Sequence, residues 1–270
     1  MTNAMSAPLA GIVKWPAAAA ETVWNIYAEG GRALIAAPAI AALVVVPEAV
    51  QHVVELMLGM FESHAALVAH AADPLRMGIG YVKIGGVALA ALGYARFAAL
   101  GSVSAALLPA WRTVVSTILA VVVFQAIGYG LQAVRDGLGD HPLGMAVVAL
   151  NFAAQFVVLL AILAIVLEDR SVPLWRAALR WRSLLAMVVL GAVAYMPAQA
   201  LHGLNHQLAV VTPTAVDLAL MLFDSLLVGL MAALAGVALA KGYRIGAAYS
   251  ADSEPSMSAR LSASRFHISA

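Results

Sequence analysis

The sequence predicts an all-α polytopic membrane protein, a bundle of about six transmembrane helices with two interfacial helices. Three observations carry that prediction. Hydrophobic residues fill 63% of the 270 positions and charged residues 11%, whereas soluble domains are about 25% charged. Apolar stretches of spanning length, about 20 residues each, recur along nearly the whole chain, which leaves no room for a separate soluble domain. Lys and Arg also gather in alternate connecting segments, as the positive-inside rule requires of a multi-pass chain.

Taken in order, residues 1–32 read as a cytoplasmic N-terminus. The opening MTNAMSAPLAGI lacks the basic region and continuous apolar core of a secretory signal peptide, so insertion is expected to use the first spanning helix. In 9–29, Leu9, Ile12, Val13, Ala20, Val23, Trp24 and Tyr27 recur at helical spacing with Lys14 and Glu21 off that face, the pattern of a helix lying in the headgroup layer. A six-span domain is expected over 33–249. Its spans are 33–61, 78–99, 113–134, 143–167, 183–204 and 214–240. The third and fourth are free of formal charge between Arg112 and Arg135 and between Asp140 and Glu168. In the second, Lys83 and Arg96 are expected to snorkel to opposite interfaces. Residues 171–182 form the second interfacial candidate, with Ser171 as N-cap, Pro173 in the first turn, and Leu174, Trp175, Ala178, Leu179 and Trp181 interleaved with Arg176, Arg180 and Arg182. Residues 250–270, rich in Ser and bearing Pro255, read as a flexible cytoplasmic tail.

With the N-terminus cytoplasmic, twelve of the 15 Lys and Arg fall on the inner side and only Arg76, Lys83 and Arg135 on the outer. The chain is therefore expected in a bacterial cytoplasmic (inner) membrane with both termini cytoplasmic. Cys is absent, which excludes disulfides and thiolate metal sites. No Walker, Rossmann or Gly-x-Ser-x-Gly sequence occurs, so ATPase, dinucleotide and nucleophilic hydrolase readings lack support. No cofactor is expected. The partners expected are the lipid bilayer and, through Ala-rich faces, other membrane proteins or a second copy; nothing points to nucleic acid.

The polar residues inside the spans carry what functional signal there is. Glu48, His52 and Glu55 stand at i, i+4 and i+7 on one stripe of span one, just after Pro47. A charge at the bilayer centre costs about 3 kcal/mol on insertion scales, so it needs a partner, a wet cavity or a task. Counted from residue 33, Glu48 lies roughly 22 Å from the inner start of its span. Asp224, ten residues into span six, falls near the midplane. Gln125, Asn151, Gln155 and Gln199 complete a set of candidates for an outward-facing pocket or proton pathway. Glu55 is expected to pair with Lys83, and Asp217 to be structural or solvated. His202 and His206, i and i+4 in HGLNH, have a spacing that chelates zinc from one helix face; Gly203 and Asn205 suggest a helix end or loop there instead, and no metal is expected. Gly85, Gly93 and Gly236 are expected to serve close helix packing.

The segments WPAAAAETVWNIYAEGGRALIAAPAIAAL and SVPLWRAALRWRSLLAMVV each put an interfacial stretch before a span with a late proline, Pro47 or Pro197. That pattern resembles bacterial six-span proteins related to the membrane domain of glycerophosphodiester phosphodiesterases. The soluble domain of that family, with its acidic metal site, has no counterpart in these residues, so the resemblance implies a fold and no catalytic activity. Three functional readings are open. A non-catalytic membrane scaffold or assembly factor explains the absence of motifs and is the reading the sequence favours. A proton- or cation-coupled transporter explains the polar stripe. A metal-dependent intramembrane enzyme requires the His and Glu residues to converge.

Overall fold

A computed structural model describes residues 7–139, 141–169, 173–210, 212 and 214–253, with the side chains of 7–19, 214–215 and 247–253 set aside. Among the described residues there are ten helices and no strand: α1 (Ala7–Ala36), α2 (Pro38–Met57), α3 (His64–Ala69), α4 (Pro74–Leu100), α5 (Val103–Leu107), α6 (Trp111–Leu138), α7 (Leu143–Val166), α8 (Leu174–Ala178), α9 (Trp181–Ala209) and α10 (Thr214–Ser253). Six of them, α2, α4, α6, α7, α9 and α10, are long and apolar enough to cross a membrane. The chain is an integral, multi-pass helix bundle.

The helices group into two compact units, one of residues 1–111 and 189–240, the other of 112–188 and 241–270. In the first unit, α1 and α2 would be one rod but for Pro38. The residue before a proline is driven out of the α region, and Ala37 accordingly takes φ −128° and ψ 60°. The Tyr94 hydroxyl, fully buried on α4, donates to the Ala37 carbonyl at 3.4 Å. The first spanning helix thus begins at Pro38 and not at residue 33, which moves Glu48 to about 15 Å from its start, the middle of the hydrocarbon core. The expected tail overlaps α10, which continues to Ser253; residues 254–270 lie outside the described set.

α2 and α4 pack antiparallel, and glycine makes the approach possible. Pro47 has no N–H, so the carbonyl of Leu43 one turn earlier loses its helical donor. That carbonyl rests on Gly86: a Cβ there would lie 2.1 Å from the Leu43 oxygen. Gly85, the residue expected to pack, has nothing within 4 Å of its Cβ position. Gly93 does pack, on Ile40, and Gly236 of α10 packs on Ala91, Tyr94 and Ala95 of α4. Around these contacts Ile26, Ile40, Val44, Ala90, Tyr94, Leu234 and Val237 form the apolar core.

The second unit holds α6, α7, α8, the first turns of α9 and the end of α10. Ser183 Oγ donates to the Tyr243 carbonyl at 2.9 Å, and Gly242 and Gly246 let α10 approach Met187 and Ser183. α7 ends in a left-handed turn at Glu168, φ 52°, where Asp169 N–H reaches the Ala164 carbonyl at 2.9 Å and Glu168 N–H the Ile165 carbonyl at 3.1 Å, a Schellman closure usually built on glycine. The basic interfacial helix expected over 171–182 is shorter in the structure. α8 covers five residues with Pro173 at its N-cap position, and Trp181 and Arg182 already belong to α9. Ser171 lies outside the described residues.

Candidate functional site

The polar residues of the first unit meet in one cluster drawn from four helices. α2 supplies Glu48, Gln51, His52 and Glu55. Residues three, four and seven apart share a helix face, and here that face points inward: Glu48 and Glu55 are each 1% exposed and His52 2%. The stripe on α2 is matched by one on α4. Lys83 Nζ lies 3.0 Å from Glu48 Oε2, and Arg76 Nε lies 2.8 Å from Glu55 Oε1. Seven residues separate each member of either pair, two helical turns along antiparallel axes, so both ion pairs form in the same register. The expected Glu55–Lys83 pair is therefore not the one made, and Lys83 turns to Glu48 and not to an interface. Arg96 is likewise held inside, donating from Nε to the Ala105 carbonyl at 2.7 Å.

α10 brings Asp224, which is fully buried, and α9 brings His202, Asn205 and His206. The loop expected around HGLNH is helix instead, because α9 runs through Pro197 and Gly203 to Ala209. Poor helix formers are tolerated there because packing overrides propensity: Asn205 is buried and donates from Nδ2 to Asp224 Oδ1 at 3.0 Å. His202 and His206 consequently lie one turn apart on one face, their ring centroids 4.8 Å apart.

His52 sits at the centre. Its Nδ1 is 3.0 Å from Glu55 Oε2, while Nε2 is 3.2 Å from Asp224 Oδ2 and 3.3 Å from Glu48 Oε1. Gln51 Nε2 donates to Glu55 Oε1 at 2.9 Å. Asp224 Oδ2 also has His202 Nδ1 at 2.7 Å and His206 Nε2 at 3.6 Å. A cavity of about 320 Å³ reaches this cluster, lined by Gln51, Glu55, Arg76, Lys83, His202 and His206, with Met60, Phe61, Leu67 and Ala71 from the α2–α4 connection completing the wall. In that connection Ser63 caps α3 and Asp73 caps α4, which fixes Arg76 in the first turn of its helix, at the cavity's edge.

The remaining candidates fall elsewhere. Gln199 is half-buried on α9, one turn before His202. Gln125, Asn151 and Gln155 belong to the second unit: Gln125 is exposed, and Gln155 donates to Asn151 at 3.0 Å within α7. Asp217 is buried in the first turns of α10, where its carboxylate accepts from the Thr212 hydroxyl and where the helix dipole favours an anion. Five members of the cluster lie outside both the sequence-based pocket set and the histidine pair: Gln51, Glu55, Arg76, Lys83 and Asn205. The seven-residue spacing shared by Glu48/Glu55 and Arg76/Lys83 was the signal that would have found the two cations.

The arrangement gathers three carboxylates, three imidazoles and two fixed cations inside a membrane bundle, so it is able to bind positive charge, whether protons on the imidazoles or an ion among the ligands. Comparisons of the chain with protein-family models, with curated proteins and with solved structures find no match.

Proposed function

We propose that this protein is a cation-coupled membrane transporter whose polar pocket takes up its ion from the expected outer side. One observation carries the reading. His52 has a carboxylate at each ring nitrogen and so donates from both, as an imidazolium; with Arg76 and Lys83 it balances Glu48, Glu55 and Asp224, and a cavity leads to this exchangeable proton. An entering cation takes the proton's place.

The scaffold reading accounts less well for these features. Buried ion pairs contribute little net stability and are often replaced by apolar side chains without loss, so a cluster of this size is a poor device for holding helices together. The cavity next to it leaves packing unfilled, which a purely structural core would not favour. Beyond the cluster, toward the start of α2, the fully buried Ile40, Val44, Leu234 and Val237 close the bundle. A pocket open at one end and sealed at the other is one member of the pair of states that alternating access requires.

The test is uptake by proteoliposomes of Na⁺, K⁺, Mn²⁺ and Zn²⁺, each read separately by an encapsulated fluorescent indicator. Transport of at least one ion is expected, and it should fall by about tenfold or more in Glu48→Gln and in Asp224→Asn, equivalent to about 1.4 kcal/mol of lost binding or barrier height. Absence of protein-dependent uptake for all four, or equal uptake in the variants, overturns the proposal.

A further inference from the structure

Resting on the cation-pocket reading and sharpening it, we propose that Glu48, His202, His206 and Asp224 form a binding site for a first-row divalent transition metal of the zinc class. One ligating atom from each of these four side chains lies within 4.8 Å of the other three. Around a tetrahedral zinc with bonds near 2.0 Å, ligand atoms stand about 3.3 Å apart, so a small inward adjustment of side chains, with no movement of helices, closes the set on an ion.

Proximity alone would make this only another polar cluster. Two further features point to a ligand. First, three imidazole nitrogens crowd one carboxylate oxygen: His202 Nδ1, His52 Nε2 and His206 Nε2 lie 2.7, 3.2 and 3.6 Å from Asp224 Oδ2, and of these only His52 is placed to hydrogen-bond to it. Second, two buried atoms of the set make no hydrogen bond: Glu48 Oε2 and His202 Nδ1. Lys83 Nζ stands 3.0 Å from the first and Asp224 Oδ2 stands 2.7 Å from the second, in each case off the direction that a hydrogen bond needs. Glu48 is 1% exposed, so bulk solvent does not reach it. Lone pairs that are close together, buried and badly aligned for bonding to one another are what a metal ion aligns.

The surrounding residues match what supports a metal centre. First-row ions bind best when their ligands are held by outer partners. Asn205 donates to Asp224 Oδ1 and leaves Oδ2 for the ion. His52, held by Glu55, braces Asp224 and Glu48 from the other side. Two imidazoles with two carboxylates suit Zn²⁺, Mn²⁺ or Fe²⁺. Mg²⁺ and Ca²⁺ prefer all-oxygen sites, and soft-metal thiolate sites are excluded because the chain has no cysteine. Entry is through the cavity, whose wall includes both His202 and His206.

The experiment uses the full chain, chelator-treated, in lipid nanodiscs, titrated with Zn²⁺ and with Co²⁺, whose visible absorption reports tetrahedral coordination. One equivalent is expected to bind, with a tetrahedral cobalt spectrum. His202→Gln and His206→Gln, both on the half-exposed cavity wall, should lose that spectrum and bind more than 100-fold more weakly. Asn205→Ala, a positioning change, should cost roughly tenfold to 100-fold, and His70→Gln, outside the site, should bind as the parent does. Zinc binding that is absent, or equal in all variants that keep their helical circular dichroism, overturns the metal site. If zinc does not bind but another cation is still transported in a Glu48- and Asp224-dependent way, this inference fails and the transport reading stands. If zinc binds as described and nothing is transported, the metal site stands and the transport reading fails.

Discussion

The two units of the bundle treat polarity in opposite ways. In the first, α2 carries two glutamates and a histidine within eight residues, and its polar stripe is buried. In the second, α6 carries no formal charge between Arg112 and Arg135, and none of its residues is buried. Among soluble helices the apolar face marks the interior; here the polar face does. Lipid is as apolar as leucine, so apolar side chains gain nothing from the core, whereas a charge facing lipid is costly and is turned inward. The second unit has a polar contact of its own: Arg180 Nη1 lies 2.7 Å from Asp169 Oδ2, and the Tyr243 hydroxyl donates to the same oxygen at 2.7 Å.

This contrast breaks first at the ion-pair ladder. Lys83→Met leaves Glu48 buried without its ammonium, and loss of one partner of a buried pair costs about 3–5 kcal/mol. Denaturant unfolding of the reconstituted protein should register that loss, and the double variant Glu48→Gln/Lys83→Met should recover most of it. A double variant no better than the single would mean that the unpaired Glu48 is not the source of the loss.

The next effect concerns backbone approach. Gly86→Val drives a side chain into the Leu43 carbonyl and is expected to cost about 3 kcal/mol, whereas Gly85→Val, one residue along, meets nothing and should melt as the parent does. Equal melting of the two would remove the glycine contact from the account.

In the second unit the stakes fall. Tyr243→Phe removes a hydroxyl that donates to Asp169 and accepts from Arg180, and the expected loss is about 1.5 kcal/mol, typical of a hydrogen bond to a charged group. Smallest of all is Gln125→Leu on the exposed face of α6, expected to change stability by less than about 0.5 kcal/mol. A large loss there would show that α6 buries this residue against a partner or a second copy, and the contrast between the units would then hold only for the isolated chain.

Much of this was legible in the residues. The charge-free runs before Arg135 and before Glu168 located α6 and α7 to within a few positions, because about 20 apolar residues have few alternatives to crossing a bilayer. The inward face of Glu48, His52 and Glu55 followed from helical periodicity. The α1–α2 break is encoded locally as well, by Pro38, which drives Ala37 out of the α region. HGLNH was misread for a different reason. Gly203 and Asn205 are weak helix formers in isolation, but Asn205 gains a buried bond to Asp224, and no local signal reports a partner 19 residues away.

Composition and periodicity were thus sufficient for the helices and for the face each spanning stripe presents, since both follow from the solvent the chain must live in and from a repeat of 3.6 residues. Which stripes would meet was decided by packing. Glycine at 86 let α2 and α4 close on one antiparallel register, and that register gave Glu48 to Lys83 and Glu55 to Arg76. The continuation of α9 then carried His202 and His206 to Asp224. Residues far apart in the chain have no local term that couples them, so their meeting depends on three-dimensional contact.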